Sequence, residues 1–169
     1  MKYSVAQLAE ILEAIVDGNH SLKDKLITDI VIDSRKIKDG DNQVFWALKG
    51  EKNDGHKYIT NAAKNGISVF VIDNEDAIED TIEDAIYLIV DDTLKALQTL
   101  ALQHRNTFDI PTIGITGSNG KTITKEWLYQ LIGSDIKVVK SPKSYNSQIG
   151  VPLSCLLYTS DAADEAKWG

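Results

Sequence analysis

The stretch Pro111-Thr-Ile-Gly-Ile-Thr-Gly-Ser-Asn-Gly-Lys-Thr-Ile-Thr-Lys-Glu-Trp-Leu-Tyr-Gln-Leu131 reads as three joined pieces. Pro111 to Thr116 is short and apolar, a predicted strand. Gly117, Ser118, Asn119, Gly120, Lys121 and Thr122 form a glycine-rich turn, and Ile123 to Leu131 has the composition of a helix. Strand, glycine turn, Lys-Thr and helix start together have the layout of a phosphate-binding loop. Glycines let backbone N–H groups approach an anion, and the helix N-terminus adds partial positive charge. The Lys121 ammonium would meet the terminal phosphates, and the Thr122 hydroxyl can hold Mg²⁺. The strict spacing G-x-x-x-x-G-K-[ST] would place its first glycine at Ile115, and the nearest glycines are instead Gly114 and Gly117. A chance glycine-rich turn with an exposed lysine is the competing reading. The strand–turn–helix context favours binding of a nucleoside triphosphate.

N-terminal to this stretch, Asp92 is placed to cap a helix running to Asn106, with Leu94, Leu97 and Ala101 on its buried side. Asn106 to Pro111 reads as a linker, because proline disfavours helix in the residue before it. The expected division is therefore residues 1–106, residues 107–154 and a tail, 155–169. Within the first part, Ser4 and Gln7 have capping-box spacing. Leu8, Ile11, Leu12 and Ile15 continue one helical stripe until Asp17-Gly18-Asn19. Ile27 to Asp33 alternates as a strand with Ile30 and Ile32 on one face. Val44 to Leu48 is a second strand, ending at Gly50. A helix from His56 to Asn65 stops at Gly66, and Ser68–Ile72 and Ala85–Val90 are further strands. Between the last two, Asp73 to Asp84 carries seven acids and no base. It lacks the alternating ligands, central glycine and closing Glu of a calcium loop, and is expected to be a solvated connection. Strands alternating with helices make the class α/β.

Composition narrows the partners. The chain has 169 residues, is 43% hydrophobic and carries a net charge of −7, so it can bury a core and lacks the basic balance of a nucleic-acid binder. No run approaches the ~20 apolar residues that span a bilayer, and no signal-peptide pattern opens the sequence. The expected address is cytoplasmic, with no nucleic acid and no membrane insertion among the partners. A single cysteine excludes an internal disulfide or a cysteine-rich zinc site. His20 and His104 have no partner at metal-ligand spacing and are expected to be solvated. Trp46 and Trp127 are expected to be core or interface aromatics.

Ile115-Thr-Gly-Ser-Asn-Gly-Lys-Thr122 resembles the phosphate loop of the Mur ligases and their relatives, ATP-dependent amide-forming enzymes. Two further stretches carry the same resemblance. Asp33-Ser34-Arg35, Gly40, Phe45-Trp46-Ala47-Leu48, Gly50 and Asp54-Gly55-His56 are similar to the family's N-terminal uridine-nucleotide-binding domain. Asn146-Ser-Gln-Ile-Gly-Val-Pro152 is similar to its N-x-x-I-G-x-P segment. The resemblance implies an N-terminal domain of that type followed by the truncated start of a P-loop-type ATP-binding central domain. It implies ATP and Mg²⁺ as cofactors, with Gly117 to Thr122 and Ile123 around the phosphates, Lys121 catalytic and Thr122 on the metal. Ile123 stands where many relatives carry Ser or Thr. Ser34, Arg35, Asn53, Asp54, Gly55, His56, Asn146 and Gln148 would face a UDP-linked substrate. Arg35 beside Asp33 also fits a plain surface ion pair, and His56 a polar turn residue.

Gly-Ser-Asn-Gly-Lys-Thr followed by Thr124-Lys125-Glu126 is most similar to the branch of that family that joins D-alanyl-D-alanine to UDP-N-acetylmuramoyl-tripeptide. A ligase adding lysine or diaminopimelate, and a non-catalytic nucleotide-binding module, are the alternatives. Cys155 to Glu165 carries no family pattern and resembles the in-frame translation of a transposon-end sequencing adapter. Residues 155–169 are therefore expected to be an appended tail on an inactive piece of a ligase, poorly soluble beyond Asn106.

Overall fold

The computed structural model describes residues 1–37, 40–50, 53–78, 82–142 and 145–157. The chain divides into two compact units, Met1–Leu100 and Ala101–Gly169.

In the first unit, Tyr3–Ser4 (β1) leads into the helix Val5–Leu12 (α1). The expected capping box forms. Ser4 Oγ accepts the Gln7 N–H at 3.2 Å, and Gln7 Oε1 accepts the Ser4 N–H at 2.9 Å. The helix ends a turn earlier than its apolar stripe suggested. Glu13 adopts φ 51°, and the Ala14 N–H closes back on the Ala9 carbonyl at 2.9 Å. Ile15 therefore belongs to the strand Ile15–Gly18 (β2), where it is exposed.

The expected strand over Ile27–Asp33 is two strands in different sheets. Leu26–Ile27 (β3) pairs antiparallel with β1, and Asp29–Val31 (β4) joins the main sheet. Ile27 and Val31 are the buried residues, whereas Ile30 is half-buried and Ile32 exposed. The face that carries Ile30 and Ile32 is thus the less buried of the two. Pairing switches sheets at Thr28, and Asp33 leaves the strand to cap a turn.

Gln43–Trp46 (β5), Val69–Ile72 (β6) and Ile86–Ile89 (β7) continue the main sheet, in the order β2-β7-β6-β5-β4. Strands β4 to β7 run parallel, and β2 closes the far edge antiparallel to β7. Both faces are covered, which is why these strands read as unbroken apolar runs. One face lines up Phe45, Phe70 and Tyr87 in register, with Phe70 stacked on Tyr87 at 5.4 Å, and packs on Ile59 and Ala62 of the helix Ile59–Lys64 (α2). The other face presents Val44, Trp46, Val71 and Leu88, all fully buried. From it Trp46 Nε1 donates to the Thr93 carbonyl at 2.7 Å. Thr93 opens the helix Thr93–Asn106 (α3), and Asp92 caps it as expected, accepting the Leu94 and Lys95 N–H groups at 2.8 and 3.0 Å.

In the second unit, the expected linker is tied down by one side chain. Arg105 donates from Nη1 to the Phe108 carbonyl, from Nη2 to the Ile110 carbonyl (both 2.6 Å) and from Nε to Thr112 Oγ1 at 2.8 Å. His104 is buried rather than solvated, 4% exposed, with Phe108 edge-on at 5.1 Å. The strand expected over Pro111–Thr116 has no ladder among the described residues, and Ile113 is exposed. A strand of this length needs neighbours to hydrogen-bond, and none flanks it among the described residues. The helix expected from Ile123 does form, as Lys121–Ile132 (α4). Of the two roles expected for Trp127, core or interface aromatic, the core one does not hold. Trp127 is 65% exposed, in line with exposed Ile123 and Leu131. Gly150–Cys155 (α5) follows, its N-terminus held by Ser147 Oγ accepting the Gly150 N–H at 2.9 Å. The expected tail begins within this helix, and from residue 158 onward it lies outside the described residues.

Candidate functional site

The glycine turn of the second unit is an exposed loop feeding a helix. Gly120 sits at φ 79°, a left-handed conformation that suits glycine, and its carbonyl accepts the Thr124 N–H at 2.8 Å. No side chain caps this N-terminus. The first-turn N–H groups of α4 have no intrahelical acceptor by construction, and they point toward the loop. A Cβ built on Gly120 meets nothing within 4 Å, so the space above the turn is open. Lys121, the first residue of α4, folds its ammonium onto the Gly117 carbonyl. The uncapped helix terminus and the Lys121 ammonium therefore lie together at one exposed glycine turn, a layout suited to an anion such as phosphate. Ser118, Asn119, Thr122 and Ile123 are exposed around it. The exposed Thr122 supplies a hydroxyl oxygen, a ligand type that a hard, oxygen-seeking cation takes.

Behind the turn, α4 is clamped to the chain that follows. Lys125 Nζ donates to the Ser141 carbonyl at 2.8 Å, and Glu126 pairs with Lys140 at 2.5 Å. The Lys140 ammonium beside it holds the Glu126 carboxyl below the usual carboxylate range. Lys140 also lies 4.0 Å from the Tyr129 ring centre. Asn146 and Gln148 are exposed on the stretch between that clamp and α5. Arg105 was not singled out from sequence, and Lys125 and Glu126 were marked only as part of a family pattern, without the Ser141 and Lys140 partners that make the clamp.

The first unit gathers its candidates at the carboxyl ends of adjacent parallel strands. Asp33–Arg35 follows β4, and Asn53–His56 follows β5, its neighbour in the sheet. Open α/β sheets bind ligands along this edge. Ser34 is buried and Arg35 is exposed. The guanidinium forms the ion pair left open by the sequence, Nε to Asp33 Oδ1 and Nη2 to Oδ2, each 2.8 Å. That hydrogen bonding holds the Asp33 carboxyl down at about 2.

The Asn53–His56 loop is sewn to the sheet. Gly55 N–H donates to the Leu48 carbonyl at 2.9 Å, and Gly50 N–H to the Asn53 carbonyl at 2.8 Å. Asp54 Oδ1 accepts the His56 N–H at 3.0 Å and lies 2.6 Å from His56 Nδ1. The His56 ring beside it lowers the Asp54 carboxyl from its ordinary range. Asn53 is exposed and His56 buried.

Residues 26–105 match the model of the Mur ligase family catalytic domain, and residues 115–166 that of the Mur ligase middle domain. The chain belongs to the Mur ligase family. It is 33% identical to the UDP-N-acetylmuramoyl-tripeptide–D-alanyl-D-alanine ligase of Bacillus subtilis over 92% of this chain and 33% of that relative. The MurF crystal structure from Acinetobacter baumannii superposes with a TM-score of 0.82 at 27% identity, covering 94% of this chain and 34% of that one. A Thermotoga maritima MurF ligase solved in complex with ADP matches at 33% identity and a TM-score of 0.66, over 78% of this chain and 29% of its own. The chain thus spans about a third of the length of the Mur ligases it matches. Among the described residues no helix is long and apolar enough to cross a membrane.

Proposed function

We propose that this chain is the nucleotide-handling part of an ATP-dependent ligase that joins D-alanyl-D-alanine to UDP-N-acetylmuramoyl-tripeptide in the cytoplasm. The observation that carries the reading is the exposed glycine turn at the start of α4, with Gly120 in the left-handed region and Lys121 on the first turn. Likeness along nearly the whole chain to D-alanyl-D-alanine-adding relatives supports the choice of substrate. Residues 1–106 would hold the UDP-linked substrate and residues 107–154 would begin the ATP-binding domain.

In the reaction, the carboxylate of the UDP-linked peptide attacks the γ-phosphorus of ATP, and ADP leaves. The amine of D-alanyl-D-alanine then displaces phosphate from the acyl phosphate, leaving an amide. Phosphoryl transfer of this kind is mainly positioning and charge neutralisation. Backbone N–H groups from Gly117 to Gly120, with Ser118, Asn119 and Ile123 at the rim, would cradle phosphate oxygens. Lys121 would exchange its Gly117 carbonyl partner for the transferred phosphoryl group. Thr122 would hold Mg²⁺, which supplies further neutralisation of phosphate charge when bound. Ser34, Arg35 and the loop Asn53–His56, with Asp54 and Gly55 at its centre, would form the uridine-nucleotide side. Asn146 and Gln148 would be polar ligand contacts belonging to the second unit alone.

Titration of the 169-residue chain with Mg·ATP and separately with UDP-N-acetylmuramoyl-tripeptide tests this directly. Saturable binding of both is expected and is abolished for ATP by Lys121→Ala. Binding of ATP without the UDP-linked ligand would replace the ligase reading with a nucleotide-binding module. In a complete ligase carrying this segment, turnover with lysine or diaminopimelate in place of D-alanyl-D-alanine would move the chain to another branch of the family.

A further inference from the structure

Loop Asn53–His56 is connected to the body of the first unit by a chain of buried polar contacts that the proposed chemistry does not use. Both ring nitrogens of His56 are engaged. Nδ1 lies 2.6 Å from Asp54 Oδ1, and Nε2 accepts the backbone N–H of Asp73 at 3.2 Å. Asp73 Oδ1 also lies 3.3 Å from Nε2, so a carboxylate faces each ring nitrogen. Asp73, just past β6, accepts the Thr93 N–H at Oδ2 (3.1 Å). Thr93 Oγ1 lies 3.1 Å from the same carboxylate oxygen and 3.0 Å from the Ala47 carbonyl. Thr93 is 1% exposed and His56 7%. The contacts run without a gap from the loop through the end of β6 to the first residue of α3.

We infer that His56 is a positioning residue: its imidazole touches no ligand but braces Asp54 and the loop against Asp73 and Thr93, fixing where that loop meets a uridine nucleotide. The inference rests on the uridine-nucleotide reading of the loop given above. Three observations carry it. The ring has no nitrogen left for a ligand, its burial keeps it from one, and its partners sit on elements distant in sequence from the loop. The residues left facing solvent on the loop are Asn53 and the outer part of Asp54, whose side chain is 29% exposed. A loop held at both β5 and β6 presents those groups in one place, which removes an ordering cost from binding.

Affinity of the 169-residue chain for UDP-N-acetylmuramoyl-tripeptide, measured by calorimetry, tests the brace when set beside thermal unfolding of each variant. His56→Ala is expected to weaken binding about tenfold, the equivalent of ~1.4 kcal/mol. Thr93→Val, which keeps the shape but removes the hydroxyl at the far end of the chain of contacts, is expected to weaken it in the same direction. Thr93→Ser is expected to restore it. Binding by His56→Ala within about twofold of the unsubstituted chain overturns the inference. Loss in His56→Ala with no loss in Thr93→Val also overturns it, since that pattern marks a direct ligand contact. Should His56→Ala fail to fold, the Thr93 pair decides. If the unsubstituted chain binds no UDP-linked ligand, the reading of the loop falls and this inference falls with it.

Discussion

Gly55 is the point where the candidate nucleotide loop touches the sheet most closely, and adding one carbon there has a calculable effect. A Cβ at Gly55 would lie 2.8 Å from both the N and O of Leu48 and 3.0 Å from the Ala47 carbonyl carbon. All three are backbone atoms at the end of β5, so no side chain can swing aside. The contact is roughly 0.7 Å short of the ~3.5 Å at which non-bonded atoms attract, so loop or strand must yield by that amount. The Asp73 N–H to His56 Nε2 bond is already 3.2 Å long and is expected to break first. Overpacking of this kind costs about 1–3 kcal/mol, equivalent to a fall in unfolding midpoint of roughly 5–20 °C for a unit of this size. Gly50→Ala is the control. Its nearest neighbour is the Asn53 carbonyl oxygen at 3.4 Å, an ordinary contact, and a change within ~0.5 kcal/mol is expected. Thermal unfolding and titration with UDP-N-acetylmuramoyl-tripeptide are the assays. Gly55→Ala should lose both stability and affinity while Gly50→Ala loses neither. Equal behaviour of the two variants would show that the close approach at Leu48 does not hold the loop.

In a complete ligase carrying this segment, Lys121→Ala should reduce turnover about a hundredfold or more, because the ammonium acts where charge develops, and unchanged turnover would remove the loop from the chemistry. Leu97→Ala, at a fully buried position of α3, should destabilise the first unit by about 2–5 kcal/mol in chemical denaturation, and a smaller loss would mean that the site collapses around the gap. Arg35→Ala should return the Asp33 carboxyl from about 2 toward its ordinary ~3.9 in an NMR titration. Since the folded pKa lies below the unfolded one, the pair stabilises the chain above pH ~4 and that contribution fades as pH falls toward 2. An Asp33 titration unmoved by Arg35→Ala would assign the shift to another neighbour.

Where a feature depended on neighbours in the chain, the sequence disclosed it. The Ser4/Gln7 capping box, the Asp92 cap of α3, the stop at Gly66 and the Gly117–Thr122 turn opening α4 are all local patterns. The errors sit where a distant or unusual partner decides. Nothing about Glu13 announces a left-handed residue, so the apolar spacing carried the first helix on to Ile15. Thr28 looks like any strand residue, although the chain changes sheets there and the buried face shifts to Ile27 and Val31. Pro111–Thr116 has strand composition, but a strand is defined by hydrogen-bonding neighbours that composition does not supply. At the candidate site, the Asp-Gly-His pattern was visible as a unit. The partners of its histidine were not, because Asp73 looked like part of a solvated acidic run and Thr93 like a helix start. His104 was hidden for the same reason, its burial depending on how α3 turns at Phe108.

Strand order in the first unit also bears on how the chain acquires its shape. Strands β4 to β7 each pair with the next strand along the chain, so that part of the sheet grows by short closures. Strand β2 is different, since Ile15 pairs with Ile89 at the opposite end of the unit. The entropy of closing that long segment comes due in full before any of its hydrogen bonds form. A ribosome must release residue 89 before the second strand has a place to sit, whatever the state of the strands between. The seam is also thinly covered, with Ile15, Asp17 and Gly18 exposed. It is therefore the last part of the sheet to zip and the first to fray, and the amide protons of β2 and their β7 partners should exchange well ahead of those shared by β5 and β6.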